Sequence, residues 1–524
     1  MLDAIIIGGG HNGLVCANYL ALGGKTVQVL ERRSVLGGAA VTEEFHPGFS
    51  NSVASYTVSL LHPKVIKELE LHEHGLNIVH RKVNNFWPLD NGNFLAFPVG
   101  SDALKKEIAL FSEHDANALD RYFRDVGMVA DLIREFLLET PPNAGGGIKD
   151  IFKTAKLGNR IRKLSLEDER IVLDIFTKSV SDFLDFYFEN EHVKGAFAFD
   201  GIVGNYADTT TPGSAYILMH HAFGEVNGVK GVWGHAIGGM GAITQAMARS
   251  ARNKGVAIKT DCAVKKVLVK GKRACGVELE SGEVVEAHTI VSNLNPSLLY
   301  NALVDHEHLP EDFSRRIKRY KNGSGTFRMN VALSELPQFT CMAKQSRASD
   351  DHLTGGIIIG ATPDYINQAY RDALQHGWSK KPIVEMLIPS TLDNTLAPEG
   401  QHVASLFCQQ FDPTVDWDKY RDKAADLILD QVEQVAPGFK QLVVGQQIMS
   451  PLDLERTFGL INGDIMHGHM SLDQMFSARP LLGHGNYRSP IAGLYMCGAG
   501  THPGGGVTGV PGHNAAREVL YDTA

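Results

Sequence analysis

The sequence predicts an α/β protein built on a parallel, Rossmann-type sheet, and three observations predict it. A strand, a glycine turn, a helix and a second strand open the chain over residues 4–33. An apolar strand, a glycine loop and a helix close it, in "GLYMCGAGTHPGGGVTGVPGHNAAREVL". Between them, "VAIKTDCAVKKVLVKGKRACGVELESGEVVEAHTIVSN" reads as a β-meander whose strands alternate with the turns "KGKR" and "ESGE".

The opening unit is the most specific of the three. Ala4 to Ile7 form an unbroken apolar run, as in a parallel strand buried on both faces. Gly8, Gly10 and Gly13 then make the G-x-G-x-x-G spacing. Leu14, Ala17, Leu20 and Ala21 repeat at helical spacing, and Gly23 and Gly24 stop the helix. Thr26 to Leu30 form the second strand, and Glu31 stands at its end. In such a unit the first glycine permits the tight turn and the second lets a pyrophosphate approach the backbone. The third lets the helix pack on the strand, with its N-terminus facing the phosphate charge. The terminal acid is placed to hold ribose hydroxyls. These residues therefore predict a dinucleotide site. His11 fills the gap of the fingerprint, either against the pyrophosphate or in solvent.

At the far end, Leu494 to Cys497 read as a buried strand, Gly498 and Gly500 open a loop, and Gly504 to Gly506 extend it. The helix begins near Val510 with Pro511 in its first turn and runs through Ala515 to Leu520. Residues 34–62 read as loop. Residues 63–225 carry amphipathic helix patterns, among them "DRYFRDVGMVADLIREFLLE" and "RIVLDIFTKSVSDFLDFYF", with a break at "TPPNAGGG". Residues 296–455 mix strands such as "RMNVAL", "PIVEMLI" and "HVASLF" with helices such as "DKYRDKAADLILDQVEQV". The glycines Gly238, Gly239 and Gly241 lead into a helix, but lack the strand and spacing of a second nucleotide-binding unit.

Composition limits the function classes. The chain has 524 residues, enough for two to four domains, and a formal net charge of −9, which excludes nucleic acid as the expected partner. No apolar run reaches the ~18 residues needed to span a bilayer, and the first strand starts at the N-terminus. A cytoplasmic protein is expected. The segment "IFKTAKLGNRIRKL" mixes Lys153, Lys156, Arg160, Arg162 and Lys163 with apolar residues. It is either a peripheral membrane contact or the solvated face of a packed helix. The six cysteines include no C-x-x-C pair, which removes the dithiol and structural-zinc signatures. Cys497 stands beside the closing glycine loop, where a covalent bond to a cofactor is conceivable but a buried thiol is the ordinary state. His467 and His469 have no convincing third ligand, so no metal site is expected. Asp473 and Arg479 are a candidate structural pair. His502 is read as a structural histidine bonding to the loop, with a proton acceptor as the alternative, and no catalytic residue is assigned.

The stretch "ERRSVLGG" resembles the extended fingerprint of the glutathione-reductase-like flavoproteins. "GAGTHPGGGVTGV" resembles the C-terminal flavin signature of the phytoene desaturase and carotenoid ketolase-like family. "ERTFGLINGDIMHGHMSLDQMFSARP", "HNGLV", "GGAAVTEE", "TPGSAY" and "GGMGA" extend the likeness over nearly the whole chain. The resemblance implies FAD as cofactor and a discontinuous FAD-binding domain at 1–62, 226–295 and 456–524. An interleaved α+β substrate domain is implied at 63–225 and 296–455, as a helical insertion plus a mixed sheet. It implies that Gly8, Gly10 and Gly13 serve the pyrophosphate, that Glu31 holds the adenosine ribose, and that Arg32, Gly37 and Gly38 line the nucleotide. Val264 is implied to pair with adenine through its backbone, and Gly498, Ala499, Gly509 and Val510 to contact the ribityl chain and ring. The implied activity is dehydrogenation or oxidation of an apolar small molecule by hydride transfer to flavin N5. The alternatives are an amine oxidase-like enzyme and a flavin-stabilised interaction protein with little turnover. Flavin amine oxidases place an acid after the closing-strand glycine, where this chain has Ala499.

Overall fold

The computed structural model describes residues 1–143, 146–342, 349–360 and 362–524. The glycine-rich break after Pro142 therefore lies partly outside the described residues. Strand β1 (Leu2–Ile7) runs into helix α1 (His11–Leu22) and returns as β2 (Val27–Leu30). Much later the chain re-enters the same sheet through helix α2 (Met240–Asn253), strand β3 (Ala257–Lys259), the meander strands β4 (Val264–Lys270) and β5 (Arg273–Leu279), and strand β6 (Val284–Ser292). Strand β7 (Leu494–Met496) and helix α3 (Val510–Asp522) complete it.

The parallel order is β3-β2-β1-β6-β7. Strand β6 has two roles. Its first residues pair antiparallel with β5 in the meander, and its last three pair with β7, Ile290 facing Leu494 and Ser292 facing Met496. It is longer than the predicted stretch 289–292 because the alternating residues Val284 to Glu286 belong to the meander ladder. The predicted glycine loop before α2 follows a short strand, Gly234–Ala236, that pairs antiparallel with Ile78–His80. A β-carbon on Gly241 would stand 2.6 Å from the Thr42 nitrogen. These glycines thus let α2 pack onto the segment 40–42, where a side chain has no room.

A second, seven-stranded sheet takes strands from both halves of the middle region. Its order is Val443–Met449, Phe327–Leu333, His402–Phe411, Trp378–Leu387, Gly356–Ile359, Val83–Pro88 and Phe94–Pro98. It is mixed: Gly356–Ile359 pairs parallel with Val83–Pro88 and every other ladder is antiparallel. Helices Glu113–Leu137, Leu166–Thr177, Glu191–Asp200 and Ser214–Ala222 share one apolar core with the flank of this sheet.

Three expectations change. Residues 34–62 are not all loop, because Thr42–His46 and Phe49–Ser52 form a hairpin. The predicted helix over 170–188 is two helices, Leu166–Thr177 and Val180–Leu184. Lys178 is extended at the break and the Ser179 hydroxyl accepts the Asp182 N–H as an N-cap. Leu299, Tyr300, Phe313 and Ile317 lie beyond the expected boundary at 295, yet they pack beneath the first sheet against Ile5, Ile7 and Leu30.

Buried Asp393 ties the two sheets' surroundings together. It accepts from the Gly238 N–H (2.6 Å) and the Thr395 hydroxyl (2.6 Å), and bonds the His235 ring at 3.0 Å. Burial raises its pKa, but these bonds outweigh that and hold it at about 2. A depressed carboxylate stabilises the fold above its ordinary value and loses that contribution as pH falls through the folded value. Asp393→Asn should cost on the order of 2 kcal/mol at pH 7, and the difference from the parent should vanish between pH 4 and 2. Urea unfolding across that range measures it.

Candidate functional site

The site is built where β1, β2 and β6 end. Gly8 turns the chain with φ +95°, a conformation that glycine alone adopts cheaply. A β-carbon on Gly13 would stand 2.2 Å from the Gly8 carbonyl oxygen, so the third fingerprint glycine allows α1 to close on the turn. A β-carbon on Gly10 would meet Asn293 Nδ2 at 2.7 Å. No side chain caps α1, which leaves its first N–H groups for an anion. Asn293 follows β6 directly: its N–H donates to Ile7 O (2.9 Å) and its Nδ2 to Gly8 O (3.3 Å).

A cavity runs from this turn along the strand ends. It is lined by Gly8, Gly10, His11, Glu31, Arg32 and Gly38, and reaches Val264, Asn293, His467 and Ala499. Glu31 is buried at its centre, accepting from the Gly9 N–H (2.7 Å) and the Arg33 N–H (3.0 Å). Arg32 lines the rim and donates to the carbonyls of Arg456 (3.1 Å) and Thr457 (2.6 Å). Arg33 lies over the Phe458 ring at 5.0 Å and pairs with Glu43 at 2.6 Å. Gly38 faces the cavity with φ +56°, 3.2 Å from Gly10 Cα as judged by an added β-carbon.

Other predicted residues shape the site from behind. Gly37 donates to Gly9 O (3.0 Å), and a β-carbon there would meet Ala40 O at 2.6 Å. Gly498 would drive a β-carbon to 2.7 Å from Asn293 O. Gly509, at φ +73°, caps α3 and lies against Val15 and Val65, and Val510 is fully buried. Gly13, Gly37, Gly498, Gly509 and Val510 line neither this cavity nor the next.

A second cavity shares His11, Ala39, His467 and Ala499 with the first and continues between the two glycine loops. Its walls include Tyr56, Leu60, Val203, Phe407, Met466 and the backbone of Gly505 to Val507. Together the two form one trough from Val264 to Phe407. Around it, His11 Nε2, Asn12 Oδ1, Arg33 Nη1 and His467 Nδ1 are buried without a hydrogen-bond partner. Unsatisfied polar atoms beside a free helix N-terminus fit a long, polar, anionic dinucleotide. Burial pushes His11 down to about 4 and His467 to about 3.

The structure bears on three of these readings and overturns one, the pairing of Asp473 with Arg479. His502 does not face the trough. It lines a separate apolar cavity on the other side of the loop, with Nε2 3.3 Å from Phe136 O, and burial pushes it to about 4. Arg479 does not pair with Asp473, which pairs with Lys321 at 3.4 Å. Fully buried, Arg479 donates instead to the carbonyls of Ala499 (3.0 Å), Gln474 (3.0 Å) and Met466 (2.6 Å). Cys497 lies behind the sheet in the core with Cys16, away from the trough. Tyr56, Arg33, Asn293 and the segment Phe458–Leu460 were not predicted. Arg33 carried a signal in the extended fingerprint and Phe458–Leu460 in the motif "ERTFGLINGDIMHGHMSLDQMFSARP", while Tyr56 and Asn293 were given no role.

The profile of the family described as "Flavin containing amine oxidoreductase" matches residues 13–327. The chain belongs to this family and is an FAD-dependent oxidoreductase. It is 39% identical over 549 aligned residues to "Pyridine nucleotide-disulfide oxidoreductase domain-containing protein 2" of Rattus norvegicus, covering 99% of this chain and 93% of the relative. It is 26% identical to "Phytoene desaturase (lycopene-forming)" of Pseudescherichia vulneris, covering 97% of each. An oxidoreductase structure from Methanosarcina mazei has the same fold, with a TM-score of 0.62 at 17% identity, covering 99% of this chain and 100% of that one.

Gly10→Val should yield colourless or unfolded protein, since even its β-carbon crowds Asn293 and the side chain enters the anion path. Flavin absorbance per mole of purified protein is the measurement. Full occupancy would overturn the placement of the diphosphate.

Proposed function

We propose that the protein dehydrogenates or oxidises an apolar small molecule, in a glutathione-reductase-like FAD domain (1–62, 226–295, 456–524) with a substrate domain interleaved. The carrying observation is the wall of the ring-side cavity: Leu60, Val203, Phe407, Ile465 and Met466 enclose the space between the glycine loops. Ligand sites with such walls take apolar groups and orient them with a few polar ones. When bound, the flavin supplies a two-electron acceptor at N5. The chain's own part is to position it and to shield the site from water. Gly8, Gly10 and the N-terminus of α1 hold the diphosphate. Glu31 holds the ribose once its bond from Gly9 is exchanged, and Val264 offers backbone to the adenine. The names of the desaturase relatives support the same substrate class.

The separate apolar cavity, of about 280 Å³, shares no lining residue with the trough. It lies under helix Ile148–Ile161, against Phe136, Leu157 and Phe176. Lys156 pairs with Glu139 and Arg160 with Glu135, so part of the predicted basic face is neutralised locally. Ile148, Ile151 and Phe152 nevertheless stand 64–70% exposed. We read this helix as a peripheral contact with a bilayer surface, made mainly through apolar side chains. Among the described residues, no helix is long and apolar enough to cross a membrane.

Two measurements test the reading. Anaerobic mixing with polyenes and long-chain lipids should bleach the flavin, while small polar amines leave it oxidised. Reduction by polar amines alone would overturn the proposal in favour of an amine oxidase. NADPH should be a poor reductant, because α2 and its glycines belong to the FAD sheet and leave no second nucleotide unit there. Stopped-flow bleaching by NADPH at ordinary turnover rates, ~1 to 10³ per second, would sink that expectation.

A further inference from the structure

The ring-side cavity is mainly apolar, with the hydroxyls of Ser55, Thr57 and Ser59 and three histidines in its lining, and behind Tyr56 it is charged. Tyr56 lines the cavity, and its hydroxyl donates to Glu385 Oε2 at 2.5 Å. Glu385 sits on strand Trp378–Leu387, directly across from Phe407, and Phe407 lies across from Arg328 on the next strand. The Arg328 guanidinium is 4.6 Å from the Tyr56 ring centroid and donates through Nη2 to Ser405 (2.7 Å), while its Nε and Nη1 have no hydrogen-bond partner. Arg81, also buried, donates to the hydroxyl of Thr57. Asp200 is close enough to Glu385 for each charge to be felt. Two guanidiniums and a carboxylate buried together are costly compared with apolar packing. Such clusters mark functional sites more often than structural ones when they open on a cavity.

We propose that Tyr56 and Glu385 form the proton-accepting pair of this site, taking up the proton that accompanies two-electron oxidation of the substrate. This rests on the dehydrogenation proposed above. The substrate C–H proton passes to Tyr56 Oη as the Tyr56 O–H proton passes to Glu385 Oε2. The electron pair left on that carbon becomes the new π bond. The neighbouring carbon loses hydrogen with its bonding pair, the two electrons that reduce the cofactor.

Among the described residues, the other titratable groups on the trough serve this step poorly. His11 and His467 stand where the trough turns toward the diphosphate end. His221 has Nδ1 engaged with the Ile217 carbonyl at 2.9 Å, and burial lowers its pKa. Burial raises both Tyr56 and Glu385, and Arg81 and Arg328 oppose that rise on each. Burial and the Glu385 charge bring Asp200 to about 7, so it competes with Glu385 for a proton. Tyr56 is thus a catalytic residue, Glu385 the proton's destination, and the arginines positioning residues whose charges oppose the rise that burial gives Glu385.

Infrared difference spectra of the FAD-loaded protein, reduced minus oxidised by anaerobic mixing with the polyene that bleaches it, test this. The carbonyl stretch of a protonated carboxylic acid should appear on reduction and be absent in Glu385→Gln. In Tyr56→Phe, which keeps the ring and its packing, flavin reduction by the same polyene should slow by about 10²-fold or more, while reduction by dithionite stays at the parental rate. No carboxylic-acid band in the parent, or a band that survives Glu385→Gln and disappears in Asp200→Asn, overturns the proposal. Reduction by the polyene at the parental rate in Tyr56→Phe does the same. If Glu385→Gln does not hold flavin, the Tyr56→Phe measurement decides alone. A protein that binds no FAD, or is reduced only by polar amines, fails the earlier reading rather than this one.

Discussion

Strand Val284–Ser292 is the constraint on which the rest depends. It pairs with β1 on one side and β7 on the other, and so holds the first and last glycine loops of a 524-residue chain side by side. Asn293 completes the junction by bonding Ile7 and Gly8, while its own carbonyl leaves room only for glycine at 498. Helices α1 and α3 close the same junction from behind. A β-carbon on Gly512 would stand 2.2 Å from the Asn12 carbonyl, so the two helices touch backbone to backbone. The candidate cofactor site is then the gap left by the ends of β1, β2 and β6 and the N-terminus of α1, as expected at the carboxyl end of an open parallel sheet.

Two buried arginines on the site's periphery show how polar groups are used once that gap exists. Arg479 satisfies carbonyls from three segments, including Ala499 of the closing loop, and needs no acid to do so. Its charge is spread over peptide dipoles, and the loop gains a fixed shape. Arg328 is different. It is fully buried on a sheet, lies under an aromatic ring, and keeps two nitrogens unsatisfied. Packing alone does not account for that arrangement, whereas a charge held near a proton-transfer pair does.

Local chemistry explains which elements were readable. The opening unit was legible because turn, helix packing and strand burial each demand a residue type at a fixed spacing. The long helix Glu113–Leu137 and the strands of the second sheet were legible by period. The hairpin at 42–52 was not, since its strands are short and carry no apolar alternation, and the second buries the polar residues Asn51 and Ser52. The break at Lys178–Ser179 was hidden because apolar spacing continues across it, while the capping serine that ends the register is a single residue. Which side His502 faces was hidden for a related reason. Its neighbours in sequence face the trough, but the loop is thin, and His502 and Pro503 point to its other side.

The sequence by itself determined the sheet at both ends of the chain, the dinucleotide fingerprint, the acid at the end of β2 and the family. Each of these is a local pattern whose physical reason lies within about thirty residues. Only the tertiary structure decided which residues meet across the gap. It brought Tyr56, Arg81, Asp200, Arg328 and Glu385 together from five separate segments. It also turned Arg479 toward carbonyls rather than Asp473, and placed Cys497 behind the sheet. Contacts between distant segments are set by strand register and loop closure, and neither leaves a spacing that can be read along the chain.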